Sequence, residues 1–184
     1  MRVPPHVRVV VSLAVAACSV ATVPAQPSND SDTRIKAAFV SKFPQYVEWP
    51  ASAFAGRSSL ALCLAPPDPF GSDLDELVAG ESLNGRTIVV RRIVNDDDVD
   101  RCHVLVISSR AGALREPFMR RARTAPVLTI GDDPAFLDQG GAIRLRVVGG
   151  RVRFDVNLEA MRAAGLKVSS QLLQLALTVK GNTP

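Results

Sequence analysis

The stretch Ser59-Leu60-Ala61-Leu62-Cys63-Leu64-Ala65-Pro66-Pro67-Asp68-Pro69 decides the architecture. Leu60, Leu62 and Leu64 alternate with Ala61 and Cys63, so both faces of this strand are apolar. A strand wet on one face alternates apolar with polar residues. One that is apolar on both faces is a central parallel strand with helices above and below it. Pro66 and Pro67 stop it. Asp68 and Pro69 suit the cap and first position of a helix over 70–79, with Leu74, Leu77 and Val78 inside and Gly80 at its end.

Moving outward, Asn84-Gly85 precedes a second strand over 87–94. Asn95 to Asp98 form an acidic turn or helix start. They lack the alternating oxygen ligands and closing Glu of a calcium loop. Cys102 to Ser108 form a third strand with an unbroken apolar run, Val104 to Ile107. A helix over 111–123 follows, with Arg110, Arg115, Arg120, Arg121 and Arg123 on a basic outer face. A fourth strand covers 127–130, and a short helix runs on to Leu137. Strand–helix–strand alternation predicts parallel strands joined by right-handed crossovers. The predicted fold is a single-domain α/β, doubly wound, mostly parallel sheet flanked by helices.

Gly140 to Asn157 add a hairpin at one sheet edge. Ile143, Leu145 and Val147 alternate with Arg144 and Arg146. Val152, Phe154 and Val156 alternate with Arg151, Arg153 and Asp155. Gly149-Gly150 suits a two-residue turn whose central residues need positive φ. With Val148 opposite Arg151, Leu145 faces Phe154, Ile143 faces Val156 and Arg144 faces Asp155. Arg146 is left facing Arg153, which calls for an anion or a partner. The polar face, with Arg144, Arg146, Arg151, Arg153 and Asp155, is the candidate partner surface; a solvated strand face is the plainer reading.

The flanks are helical. Ile35, Ala38, Phe39, Phe43 and Tyr46 or Val47 recur at helical spacing over 33–47, with Asp32 or Thr33 as cap, Pro44 kinking the helix or tightening its last turns, and Trp49-Pro50 ending it. Trp49 is expected to pack as a lid on the core. Asn157 caps a helix through Ala164, and Gly165 ends it. Ser169 or Ser170 starts a last helix, with Leu172, Leu173, Leu175, Ala176 and Val179 on its apolar face.

Arg2 and Arg8, then the apolar run Val9 to Ala17, then small residues, follow the order of a secretory signal, with cleavage after Val23-Pro24-Ala25. The chain then divides into a signal over 1–25, a flexible lead over 26–32 and a domain over 33–181. The expected product is soluble in the periplasm. Val15-Ala16-Ala17-Cys18 offers the alternative of a lipoprotein anchored at Cys18. Either way Cys63 and Cys102 remain in an oxidising space, where a disulfide is the simplest expectation and two buried thiols the other.

The 22 basic residues against 18 acidic ones give +4; without Arg2 and Arg8 the balance is 20 against 18, or +2, too small to suggest nucleic acid. There is no G-x-S-x-G elbow, P-loop or G-x-G-x-x-G. His103 beside Cys102 is expected to be structural, since strand neighbours point to opposite faces. No enzyme activity, cofactor or metal is expected. An alternative to protein contact is a small-molecule receptor, for an anion or metabolite, at the strand ends near Pro66 to Asp68 and Ser108 to Arg110.

Several blocks together resemble one family. They are Ala37-Ala38-Phe39 through Phe43 to Val47-Glu48-Trp49-Pro50; Leu62-Cys63-Leu64 with Asp68-Pro69-Phe70-Gly71; and Cys102-His103-Val104-Leu105-Val106-Ile107-Ser108. The last block is Gly140-Gly141 through Arg151-Val152-Arg153-Phe154-Asp155-Val156-Asn157-Leu158, then Gly165-Leu166-Lys167-Val168-Ser169-Ser170-Gln171-Leu172-Leu173. The chain resembles the YfiR family of periplasmic proteins over essentially its whole mature length. The resemblance implies a repressor that binds the periplasmic sensor domain of an inner-membrane diguanylate cyclase, or another membrane sensor, and lowers cyclic di-GMP output. It also implies redox dependence through disulfides. Cys63 and Cys102 match one bridge of the best-known member, and its second bridge has no counterpart here. The hairpin edge is also a candidate for pairing with a second copy.

Overall fold

Apolar strands with two dry faces need a layer on each side, and that is what the chain builds. The computed structural model describes residues 29–181. The expected signal, its expected cleavage site and Cys18 lie outside the described residues. The elements in order are α1 (Asn29–Lys42), β1 (Val47–Glu48), β2 (Ser59–Leu64), α2 (Asp73–Val78), β3 (Ser82–Leu83), β4 (Arg86–Arg92), β5 (Val104–Ile107), α3 (Arg115–Ala122) and β6 (Leu128–Gly131). Then come β7 (Ile143–Val148), β8 (Arg151–Asn157), α4 (Leu158–Ala163), β9 (Lys167–Val168), α5 (Ser170–Leu175) and β10 (Thr178–Lys180). An eight-stranded sheet runs β10-β8-β7-β6-β5-β2-β4-β3. Strands β4, β2, β5, β6 and β7 are mutually parallel; the β7–β8 and β3–β4 pairs are antiparallel. β1 and β9 form a separate two-stranded ribbon.

The period-two alternation of β2 sorts the core into two clusters. Leu60, Leu62 and Leu64 pack with Val40 of α1, Leu74 of α2, Met161 of α4 and Leu172 of α5. Phe39 of α1 and Phe43 of the 3₁₀ turn that follows it meet Phe154 of β8 at ring distances of 5.8 and 5.1 Å. Ala61, Cys63 and Ala65 face the other way, toward Phe118 and Met119 of α3 and toward Phe136.

Several local expectations are corrected. The first helix starts at Asn29, so Asp32 and Thr33 sit inside it and 29–32 is helix rather than flexible lead. It stops at Lys42, and a 3₁₀ turn with an early proline continues to Tyr46, because Pro44 has no N–H for an α-helical bond. Asp68 does not cap α2. Its Oδ1 accepts from the N–H groups of Phe70 and Gly71 at 2.7 and 3.2 Å, closing a turn that delays the helix to Asp73. The helix expected from 111 is broken at Gly112 (φ 54°) into a 3₁₀ segment and α3. After β6 the chain runs through turns instead of a helix. There Phe136 lies flat against two glycines: a Cβ on Gly131 or Gly141 would meet its ring at 2.5 or 2.2 Å. The last helix ends at Leu175, and Val179 belongs to β10, which pairs with the end of β8. The hairpin is therefore one strand in from the sheet edge.

Candidate functional site

The hairpin has the expected register. Ile143 faces Val156, Arg144 faces Asp155, Leu145 faces Phe154, Arg146 faces Arg153 and Val148 faces Arg151. Gly149 and Gly150 have φ of 57° and 69°, as a primed turn requires. The polar face is more ordered than a solvated stripe. Asp155 is 0% exposed and holds two arginines. Its Oδ2 accepts from Nε and Nη2 of Arg144 at 3.0 and 2.7 Å, and its Oδ1 accepts from Nη2 of Arg146 at 3.0 Å. Arg144 also donates to the Pro134 carbonyl. Asp155 is thus the enclosed counter-ion that fixes Arg144 and Arg146. Arg146 escapes Arg153 by turning to that carboxylate, while Arg153 donates to the Val152 carbonyl at 3.2 Å. The surface the hairpin offers is Arg151, half-buried Arg153 and the exposed Val147 and Val148 at the tip.

Cys63 and Cys102 are joined, with Cα atoms 5.7 Å apart. The bridge ties β2 to the segment entering β5, and both cysteines are enclosed at 0% and 2% exposure. His103, next in sequence, is structural. Its Nδ1 accepts from the Ala61 N–H at 3.0 Å, and Nε2 lies 3.1 Å from the Ala53 carbonyl, which fixes the neutral tautomer with the proton on Nε2. Burial pushes its pKa down to about 4, with the Ala53 hydrogen bond opposing and nearby arginines assisting. Trp49 covers this region and donates from Nε1 to the His103 carbonyl at 3.2 Å.

The chain steps from β2 outward to β4 and returns to β5 on the other side of β2. A ligand crevice belongs outside the strand ends at such a switch point. A cleft of about 710 Å³ lies there, bounded by Ser108, Ser109 and Arg110 after β5, Gly131 and Asp132 after β6, the turn after β2, and the start of α1. Val106, Ile130, Leu145 and Phe70 give it apolar walls. Lys36 of α1 bonds Asp132 at 3.0 Å, and the Ser109 N–H donates to the same carboxylate at 2.6 Å. Burial alone would raise the Asp132 pKa, but these two donors outweigh it and hold the group below its ordinary value. Asp32, Asp73 and Asp132 line the cleft together with Lys36 and Arg110. The lining is thus of mixed charge, three carboxylates and two cations. Ser108 to Arg110 were visible in the sequence as strand-end residues. Lys36, Asp73 and Asp132 were not, since only the fold brings them together; the Gly131-Asp132 step straight after a strand was the one available signal.

A model of the YfiR/HmsC-like family matches residues 33–177. The chain belongs to the YfiR/HmsC-like family. At family level the match supports a periplasmic regulatory role. Among the described residues no helix is long and apolar enough to cross a membrane. Among solved structures, a conserved domain protein from Vibrio cholerae O1 biovar El Tor strain N16961 is similar, with TM-score 0.51 and 12% identity. The match covers 80% of this chain and 60% of that one. The ABC domain in complex with L-Trp from Streptococcus pneumonia gives TM-score 0.49 and 10% identity, over 66% and 55% of the two chains. The present chain thus spans about three fifths of the length of these solved chains. The Vibrio likeness is one of α/β fold alone.

Proposed function

We propose that this family member represses a membrane-bound diguanylate cyclase by binding the cyclase's periplasmic sensor domain. The family match over 33–177 is the observation that carries this reading. Repression requires only that the protein bind the inactive state of its partner more tightly than the active one. The contact surface we assign is the hairpin tip, with Arg151, Arg153, Val147 and Val148, held by the buried Asp155 cluster beneath it. The outer edge of β8 ahead of its pairing with β10 is the candidate seat for a second copy. The Cys63–Cys102 bridge is the redox-dependent element, and the signal over 1–25 delivers the chain to the periplasm. The test is intracellular cyclic di-GMP in a strain lacking the gene beside one carrying Cys63→Ser. A rise in both supports a bridge-dependent repressor, and a rise only in the deletion keeps the repressor and removes the redox dependence. No change in either, with a candidate cyclase present, overturns the reading.

The switch-point cleft supports a second reading that can coexist with the first. A small periplasmic molecule with an amino group, seated against Asp73 and Asp132, would tune partner affinity. Native mass spectrometry of the purified protein tests it. A bound metabolite lost in Asp132→Asn supports the receptor reading, and a clean apo mass that persists after exposure to periplasmic extract removes it.

A further inference from the structure

A second recess lies at the opposite end of β2 from the cleft. Arg57, Arg91 and Arg101 line it, with Ser58, Ser59 and His103. Three arginines meet there. Several other arginines are matched to carboxylates: Arg92 with Asp68 and Asp75, Arg121 with Asp100, Arg144 and Arg146 with Asp155. Among the described residues, Arg91 and Arg101 have no carboxylate within ion-pair distance, and Arg57 donates only to the Asp100 carbonyl, at 2.6 Å. Asp100 is the acid at hand, and its carboxylate is held by Arg121. Asp100 also feels the charge of Arg57, but guanidiniums gathered in one recess still repel one another. A guanidinium also presents the forked donors that phosphate oxygens accept. We infer that this recess is a binding site for a phosphate-type oxyanion.

Three further observations agree. The Ser58 and Ser59 hydroxyls add donors on the same wall. His103 at the floor is neutral and has both ring nitrogens engaged, so it neither competes for the anion nor adds charge. The volume, about 280 Å³, is below the range of roughly 300–1,000 Å³ typical of drug-sized ligands and suits a phosphate or phosphomonoester head. The site is also joined to the disulfide: Arg91 is the register partner of Cys63, and Arg101 precedes Cys102.

The test is titration of the oxidised protein with inorganic phosphate, with glycerol 3-phosphate, and with phosphatidylglycerol against phosphatidylcholine vesicles, all at matched ionic strength. Amide shifts in 57–61 and 101–103 report the site. The inference expects saturable binding that weakens at least tenfold in Arg91→Gln and in Arg101→Gln and is unchanged in Lys167→Gln. Inorganic phosphate alone assigns the source to the free ion. Glycerol 3-phosphate or phosphatidylglycerol vesicles alone assign the same chemistry to an organic phosphomonoester or a lipid headgroup. Absence of saturable binding to all three overturns the site, as does equal weakening in Lys167→Gln or an equal response to chloride. Arg101 is exposed and makes no contact that folding needs, so its variant keeps the test decisive if Arg91→Gln unfolds.

Discussion

Asp155 carries no exposed surface, yet two arginines depend on it. Removing one partner of a buried charge cluster leaves the rest uncompensated, typically at a cost of about 3–5 kcal/mol. Asp155→Ala is expected to lose stability on that scale in urea unfolding. Arg151→Ala, at the exposed tip, is expected to stay within about 0.5 kcal/mol of the parent. His103 gives a pH signature. The unfolded imidazole takes a proton below 6.5, while the folded one stays neutral down to about 4. Stability is therefore complete above pH 6.5 and falls as pH drops toward 4, by about 3 kcal/mol in all. Melts between pH 7 and 4.5 should show this slope, and His103→Gln should flatten it from a lower starting point.

At the scale of elements, the hairpin was readable because side-chain period, turn glycines and opposite charges all specify one register. The start of α2 was not, because Asp68 can cap a helix or close a turn, and only the packing of Phe70 selects the turn. β10 was hidden for a related reason. The apolar run from Leu172 to Val179 is compatible with helix and with strand until β8 supplies an edge to pair with. The bridge closes a sequence separation of 39, for which the chain-entropy model gives roughly 4 kcal/mol at most. Cys63→Ser is expected to lower the denaturation midpoint accordingly, and reduction of the parent protein should reproduce the shift. Gly141→Ala would drive a methyl into the Phe136 ring and should cost about 1–3 kcal/mol by overpacking. A melt unchanged from the parent would show that the turn repacks freely.

At the scale of the whole molecule, β2 with two dry faces was enough to announce a three-layer α/β fold, since an all-apolar strand has to be covered twice. The candidate sites were less legible. The cleft combines residues from α1, the turns after β2 and β5, and the end of β6, so no window of sequence contains it. The alternation of the hairpin marked out its polar face, but the sequence could not tell which of its charges stay wet. Arg153→Glu is expected to weaken partner binding at least tenfold in a pull-down with the cyclase sensor domain while the melt shifts little. Equal binding would move the contact elsewhere on the molecule.

The enclosure of the bridge bears on time. A reductant cannot reach sulfurs at 0% and 2% exposure until the sheet opens locally, so the pace of reduction is set by the protein's own breathing. Brief fluctuations in the surrounding thiol pool would leave the molecule untouched, and only sustained exposure would register. On the proposed redox reading, such a bridge would integrate exposure to reductant over time instead of following brief changes.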